Sequence, residues 1–286
     1  MTSVTLGLTL ALAASVALNG SYLLQHAGSA TAAEITPRRP LATIVSLLRS
    51  PLWTLGAALG MTGWALHVGA LSHAPLSLVQ AFVAGGLALT VPMAAVGLRH
   101  RVRRDEARAA ALMVAALVLL ALGLHGAHRD AAFAPATLAG YLAALVVPAV
   151  VLVALVRGSA RPAALGLAGG LLYGAADLAI KALTGIAHEH GAAAVLASPW
   201  LLAAVVLTIG AFFAFQRGLQ TGRPVTIIAL MTAATNTGSI AGGFVVFGDR
   251  VGATPALAVA HIAGFVLVCV AAWWLAPAQA ALTTGR

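Results

Sequence analysis

Two short motifs occur twice in this chain, about 148 residues apart, and each copy borders a long apolar segment. The pairs are Ser50-Pro51-Leu52-Trp53 with Ser198-Pro199-Trp200-Leu201, and Arg101-Val102 with Arg250-Val251. Pro75 and Pro224 lie at matching places between them, and the spacings within the two copies agree to within one residue. Duplicated membrane helices are typical of proteins in which two halves move around one central site. The repeat therefore predicts a two-part helical bundle.

The length of the apolar segments indicates the class of protein. Of the 286 residues, 61% are hydrophobic and 8% are charged, and no soluble domain could bury that much apolar surface. Segments of about 18 or more apolar residues can cross a bilayer as helices. We expect an all-α integral membrane protein with nine transmembrane helices, over residues 4–25, 51–71, 76–98, 108–124, 135–156, 163–186, 195–215, 225–247 and 255–276.

The order of these segments predicts how the two halves are joined. Four helices form a first repeat over residues 1–125, a connector helix lies within 126–161, and four helices form a second repeat over 162–286. Five spans separate each helix from its counterpart, so the repeats enter the membrane with opposite topology. An inverted repeat of this kind suits a central site that opens to either side.

The arginines indicate the orientation. Thirteen lie in loops on one side of the predicted spans, and only Arg129 and Arg250 lie on the other. Because positively charged loops stay in the cytoplasm, we expect an inner or plasma membrane protein with its N-terminus outside and its C-terminus inside. We therefore interpret the formal net charge of +9 as arginines that set the orientation and contact the headgroups of the lipid bilayer. No basic face or zinc-finger spacing indicates nucleic-acid binding.

Glycines at helical spacing predict close helix packing. Small residues three or four positions apart let two helix backbones approach each other within a membrane. Two such groups lie in predicted spans: Gly56, Gly60 and Gly63, and Gly166, Gly170 and Gly174.

Four short motifs lie at or near the ends of predicted spans: Asn19-Gly20-Ser21, Pro51-Leu52-Trp53, Ala74-Pro75-Leu76-Ser77-Leu78-Val79-Gln80 and Asp249-Arg250-Val251. Together they resemble the drug/metabolite transporter superfamily, and within it the nine-helix magnesium-transporter-like (NIPA-type) branch. That branch implies magnesium as the solute, but it has a glutamate where this chain has Trp64. Magnesium binds through carboxylates and retained waters, and Asp177 is the only carboxylate within a predicted span. We therefore expect an organic solute.

Two charged residues, Asp177 and Lys181, lie within a predicted span. Charges are costly inside a membrane, so each indicates a functional site. Their spacing of four residues puts them on one helix face, where an ion pair can form. Two interpretations stay open: a structural ion pair, or a proton carried by Asp177 with Lys181 tuning its pKa or binding an anionic group of the solute.

The other polar residues within the spans extend this candidate site for the solute and the proton. The tyrosines among them also suit aromatic packing, and the histidine suits a hydrogen-bonded core position as well as a proton relay. These candidates are Asn19, Ser21, Tyr22, Gln25, His67, Gln80, Tyr173 and Asn236.

We expect a secondary-active permease that moves a small metabolite or amphipathic compound by alternating access, driven by a gradient. A magnesium carrier is the alternative within transport, and a non-transporting scaffold or lipid-handling protein is the alternative outside it. No phosphate loop, zinc helix or nucleophile elbow occurs, so we expect no enzyme activity, no cofactor and no metal site. The expected partners are a small-molecule solute and the lipid bilayer, and the sequence leaves open whether two copies pair as a homodimer.

Overall fold

The computed structural model describes residues 3–29, 38–85, 132–222, 224–249 and 254–267, together with residue 270 and isolated positions between 108 and 122. Most of the expected span 108–124 lies outside the described residues, as do the later parts of 76–98 and 255–276. The arginines between residues 99 and 104 lie outside them as well.

The described residues are helical almost throughout and contain no strand. Five helices are long and apolar enough to cross a membrane, and the count is six if α2 and α3, which meet at 105°, form one bent span. The chain is accordingly a membrane protein. The helices are α1 (Ser3–Ser29), α2 (Pro40–Leu48), α3 (Pro51–His73), α4 (Leu76–Gly85), α5 (Pro135–Leu155), α6 (Arg161–His190), α7 (Ala192–Leu196), α8 (Pro199–Thr221), α9 (Pro224–Phe247) and α10 (Pro255–Leu267).

Helices α3 and α8 correspond to each other in length and in how they begin. Each has 23 residues and starts with a proline that follows a serine, Ser50 or Ser198. The side chain of each serine accepts a hydrogen bond from a backbone N–H of the first turn, which satisfies a donor that the helix itself leaves free. The repeated motif is thus a repeated helix start.

The glycine faces pack closely, as expected. A methyl group added at Gly63 on α3 would lie 2.9 Å from the Leu18 Cγ atom of α1, so the two backbones are nearly in contact. One added at Gly170 on α6 would lie 2.9 Å from the Cα atom of Met231 on α9. The first half, α1 to α4, is therefore held by the pair α1 and α3, and the second, α6 to α9, by α6 with α8 and α9.

The turns that follow α3 and α8 contact different parts of α6. The turn between α3 and α4 lies beside the later part of α6, where Lys181 contacts it. The turn between α8 and α9 lies beside the beginning of α6, where a methyl group at Gly222 would lie 2.6 Å from Pro162 Cβ. Helix α4 packs against both α1 and α9, so it connects the halves along the middle of the bundle.

Helix α5 lies on the outside of the second half. It packs mainly against α6 and leaves much of its apolar surface exposed, as a lipid-facing helix does. The hydroxyl of Tyr141 donates a hydrogen bond of 2.9 Å to the carbonyl of Gly238, which joins α5 to α9.

Candidate functional site

Asp177 lies near the middle of α6 and is contacted by three other helices. His67 of α3 lies 3.2 Å from its Oδ1 atom, and Gln80 of α4 donates a hydrogen bond of 2.6 Å to Oδ2. Ser239 of α9 donates a further bond of 3.3 Å to Oδ2. The carboxylate side chain is 13% exposed. One acidic group thus joins two helices of the first half to two of the second.

The histidine has one nitrogen engaged and one free of any partner. Nε2 is the atom that faces Asp177, while Nδ1 is buried without a hydrogen-bond partner. A neutral ring with its proton on Nε2 fits this arrangement best, because a proton on Nδ1 would be a buried donor with nothing to accept it. The site therefore brings the acidic group of Asp177 against one ring nitrogen of His67.

The ion pair between Asp177 and Lys181, which was one of the two interpretations left open by the sequence, is not formed. Lys181 is 3% exposed, and its Nζ atom donates to the carbonyls of Leu71 at 2.8 Å and of Ala74 at 3.0 Å. Leu71 is in the last turn of α3 and Ala74 directly follows that helix, so Nζ lies at the negative end of the helix dipole, which attracts a cation. Asp177 and Lys181 thus both contact the C-terminal part of α3, one turn apart. Asp177 contacts the side chain of His67, and Lys181 contacts backbone carbonyls.

Asp249 acts electrostatically on Lys181, although the two side chains form no ion pair with each other. It follows α9, and its Oδ2 atom accepts a hydrogen bond of 2.8 Å from the backbone N–H of Ser77, in the first turn of α4. The pKa of the Asp249 carboxyl is raised, because burial outweighs the hydrogen bonds from Ser77 and the charge of Lys181, which act to lower it. Lys181 therefore caps the end of α3, and Asp249 caps the beginning of α4.

Two further predicted candidates, Asn19 and Asn236, are both buried. Asn19 donates to the backbone carbonyl of Ser15 at 2.9 Å and to its hydroxyl at 3.2 Å, and that hydroxyl in turn donates to the carbonyl of Val83. These bonds join α1 to α4. Asn236 is buried on α9, three residues before Ser239.

Ser21 and Gln25 take part in a separate chain of hydrogen bonds. Gln25 donates to the Ser21 hydroxyl at 2.6 Å, and the amide of Gln216 on α8 donates to the Gln25 carbonyl oxygen. All three side chains are buried. This chain joins the first and second halves beside the end of α8, through neutral groups alone.

The predicted tyrosines meet on one phenylalanine. The ring of Tyr22 packs edge-on against Phe215 at 5.3 Å between centroids, and Tyr173 packs against the same ring at 6.4 Å. Both phenols are partly buried and lie within electrostatic range of Asp177. The aromatic group thus joins α1, α6 and α8.

The structure assigns roles to three residues that were not among the predicted site residues. Ser239 binds the carboxylate, Gln216 completes the amide chain, and Asp249 caps the beginning of α4. A polar residue in or next to an apolar span was the only signal available for Ser239 and Gln216, whereas Asp249 stood in one of the motifs of the family resemblance. In the part of the chain that the structure describes, no three residues among His, Cys, Asp and Glu come close enough to hold a metal ion.

Comparison with known proteins gives no relative from which a role could be transferred. No protein-family model, curated protein or solved structure matches this chain.

Proposed function

We propose that the protein is a secondary-active membrane transporter, a permease for a small metabolite or amphipathic compound, coupled to a gradient by alternating access. The observation that carries this proposal is the position of Asp177, bound by His67, Gln80 and Ser239 where helices of both halves converge. A buried carboxylate shared between two moving halves is suited to take up a proton on one side and release it on the other.

The chemistry of the pair supports proton coupling. With His67 neutral, adding one proton to the carboxylate and imidazole removes the net negative charge of the site. A protonated carboxyl group attracts Gln80 and Ser239 less strongly, because hydrogen bonds to charged groups are the stronger ones. Proton uptake would therefore loosen the contacts that join the halves at this level.

The arrangement of helices supports alternating access. The turns that follow α3 and α8 contact different parts of α6, as an inverted repeat requires, and we include in the proposal nine spans in two inverted four-helix repeats. The resemblance to the drug/metabolite transporter superfamily belongs to the same proposal. So does residence in the inner or plasma membrane, with the N-terminus outside and the C-terminus in the cytoplasm.

The test is flux into proteoliposomes with and without an imposed pH gradient, using a broad panel of metabolites and amphipathic compounds. We expect gradient-dependent flux of at least one compound for the wild type, and its loss in Asp177→Asn with the protein still folded and inserted. Glu189→Gln is the matched control, because Glu189 is an exposed carboxylate at the end of the same helix. Equal flux in Asp177→Asn and wild type would remove Asp177 from the mechanism.

A further inference from the structure

We propose that Lys181 and Asp249 form a charged latch that closes the end of the bundle carrying the turn between α3 and α4. This inference rests on the proposed transport function and specifies what opens. The latch consists of these two residues and the groups that they cap: the carbonyls of Leu71 and Ala74, and the N–H of Ser77.

The latch crosses the boundary between the two halves. Both charged residues belong to the second half, and all three groups that they bind belong to the backbone of the first. A cation on the end of α3 and an anion on the start of α4 each match the sign of the helix dipole there. The turn between α3 and α4 in the first half is thus bound by two oppositely charged residues of the second half.

Charged contacts suit an interface that has to open repeatedly. Burying an ion costs much of what its contacts gain, so such a contact contributes little net free energy. When the interface opens, water replaces the contacts of Lys181 and Asp249 and restores their hydration. An apolar contact of the same area would regain no favourable hydration on opening, because exposing apolar surface to water is unfavourable.

The latch is one helical turn away from the acidic site on α3, α4 and α6. On α6, Asp177 and Lys181 are four residues apart, and on α3 the corresponding partners His67 and Leu71 are four apart as well. On α4, Gln80 binds Asp177 and Ser77 binds Asp249. A shift that separates α6 from α3 at Asp177 therefore strains the latch directly, which links protonation to opening.

The contact between the halves at the other end is of a different kind. There the amide of Gln216 donates a hydrogen bond to the carbonyl oxygen of Gln25. This contact is between two neutral groups, whereas Lys181 and Asp249 bring charged groups to the latch.

The test uses a Ser239→Cys variant, in which the new thiol lies beside Asp177. It measures how fast this thiol reacts with an impermeant thiol reagent applied from the latch side. The native cysteine, Cys269, is first replaced by serine. We expect Lys181→Met and Asp249→Asn each to raise the labelling rate by about tenfold, the scale of one hydrogen bond to a charged group. Lys181→Arg retains the charge and should stay within about threefold of the parent.

Matched controls separate the latch from general loosening of the fold. Arg157 is a cation that also donates to two carbonyls at a helix end, those of Val153 and Val156, but on the exposed surface. Arg157→Met and Glu189→Gln should leave the labelling rate unchanged. Labelling from the opposite side should rise in Gln216→Met and not in Asp249→Asn.

Two results would overturn the latch. The first is an unchanged labelling rate in Asp249→Asn and in a folded Lys181→Met variant, and the second is equal acceleration in Arg157→Met. If Lys181→Met does not fold, Asp249→Asn decides alone. Failure of the transport proposal is distinguishable, because it is read from flux: accelerated labelling with no flux of any compound supports the latch and contradicts the permease.

Discussion

The imidazole of His67 and the carboxylate of Asp177 meet across the boundary between the two halves, with 3.2 Å between Nε2 and Oδ1. Lys181, one turn further along α6, binds backbone carbonyls instead. His67 contacts the Asp177 carboxylate, whereas Lys181 is near it only in sequence. The stability effect of mutating Asp177 should therefore depend on His67 and not on Lys181, and two double-mutant cycles measure this difference.

For His67→Gln with Asp177→Asn, we expect a coupling energy of about 0.5–3 kcal/mol, because the side chains are in direct contact. For Asp177→Asn with Lys181→Met, we expect less than about 0.5 kcal/mol, because the two side chains bind different groups. Unfolding in detergent, followed by circular dichroism, measures both cycles. A larger coupling for the second cycle than for the first would contradict the arrangement described.

Coupled transport should fail when the acidic site loses its charge. We expect the double variant Asp177→Asn with Lys181→Met to be expressed and inserted normally but to show no gradient-driven flux. Asp177→Glu should keep partial activity with a shifted pH optimum, because it retains a titrating carboxyl group in an altered position. Flux with a wild-type pH profile in the double variant would exclude both residues from the mechanism.

Close packing of α6 against α9 makes Gly170 sensitive to the smallest substitution. A methyl group there would lie 2.8 Å from Ala234 Cβ and 2.9 Å from Met231 Cα, and backbone cannot move aside as a side chain can. We expect Gly170→Ala to lower the free energy of unfolding by about 1–3 kcal/mol. Gly140→Ala on α5 is the control, since nothing lies within 4 Å, and should be neutral or stabilising by up to about 1 kcal/mol. Thermal unfolding in detergent compares them, and equal stability of the two variants would contradict the packing.

The orientation can be tested at two exposed positions on either side of α6. Cysteines introduced at Ser159 and Ala193 lie before and after that helix, and both native residues are exposed. We expect an impermeant thiol reagent added outside intact cells to label position 193 and not position 159. The reverse pattern would invert the orientation predicted from the arginines, and with it the side that the latch faces.

Magnesium should not be the transported solute. One carboxylate surrounded by an imidazole, an amide and a hydroxyl offers too few oxygen ligands for a hydrated divalent cation. We expect no saturable magnesium uptake that depends on this protein in cells lacking their own importers. Growth at low magnesium that is restored by the wild type and not by Asp177→Asn would establish magnesium transport instead.

The positions of most long helices could be predicted from the sequence, because they follow from local signals. The short helices α2 and α7 were not predicted, and the span expected at 195–215 is a helix over Pro199–Thr221. The Ser-Pro pairs at residues 50–51 and 198–199 mark both helix starts, and the glycines of α3 and α6 mark the packed faces. The expected count of nine spans stays a prediction, since parts of three of them lie outside the described residues.

The contacts of the charged residues could not be predicted in the same way. His67 and Asp177 are 110 residues apart, and their meeting depends on how α3 packs against α6. Lys181 and Asp249 bind backbone groups, which every residue carries, so no residue type marks the partners of either charge. The spacing of Asp177 and Lys181 suggested an ion pair, but the free carbonyls at the end of α3 compete successfully for the ammonium group.

The opposite charges of the latch have an electrical consequence. A membrane potential does work of about 2.3 kcal/mol on each elementary charge moved through 100 mV. Lys181 and Asp249 carry opposite charges and belong to the same half, so the work on one nearly cancels the work on the other when that half moves. We therefore expect the opening of the latch to depend little on the membrane potential.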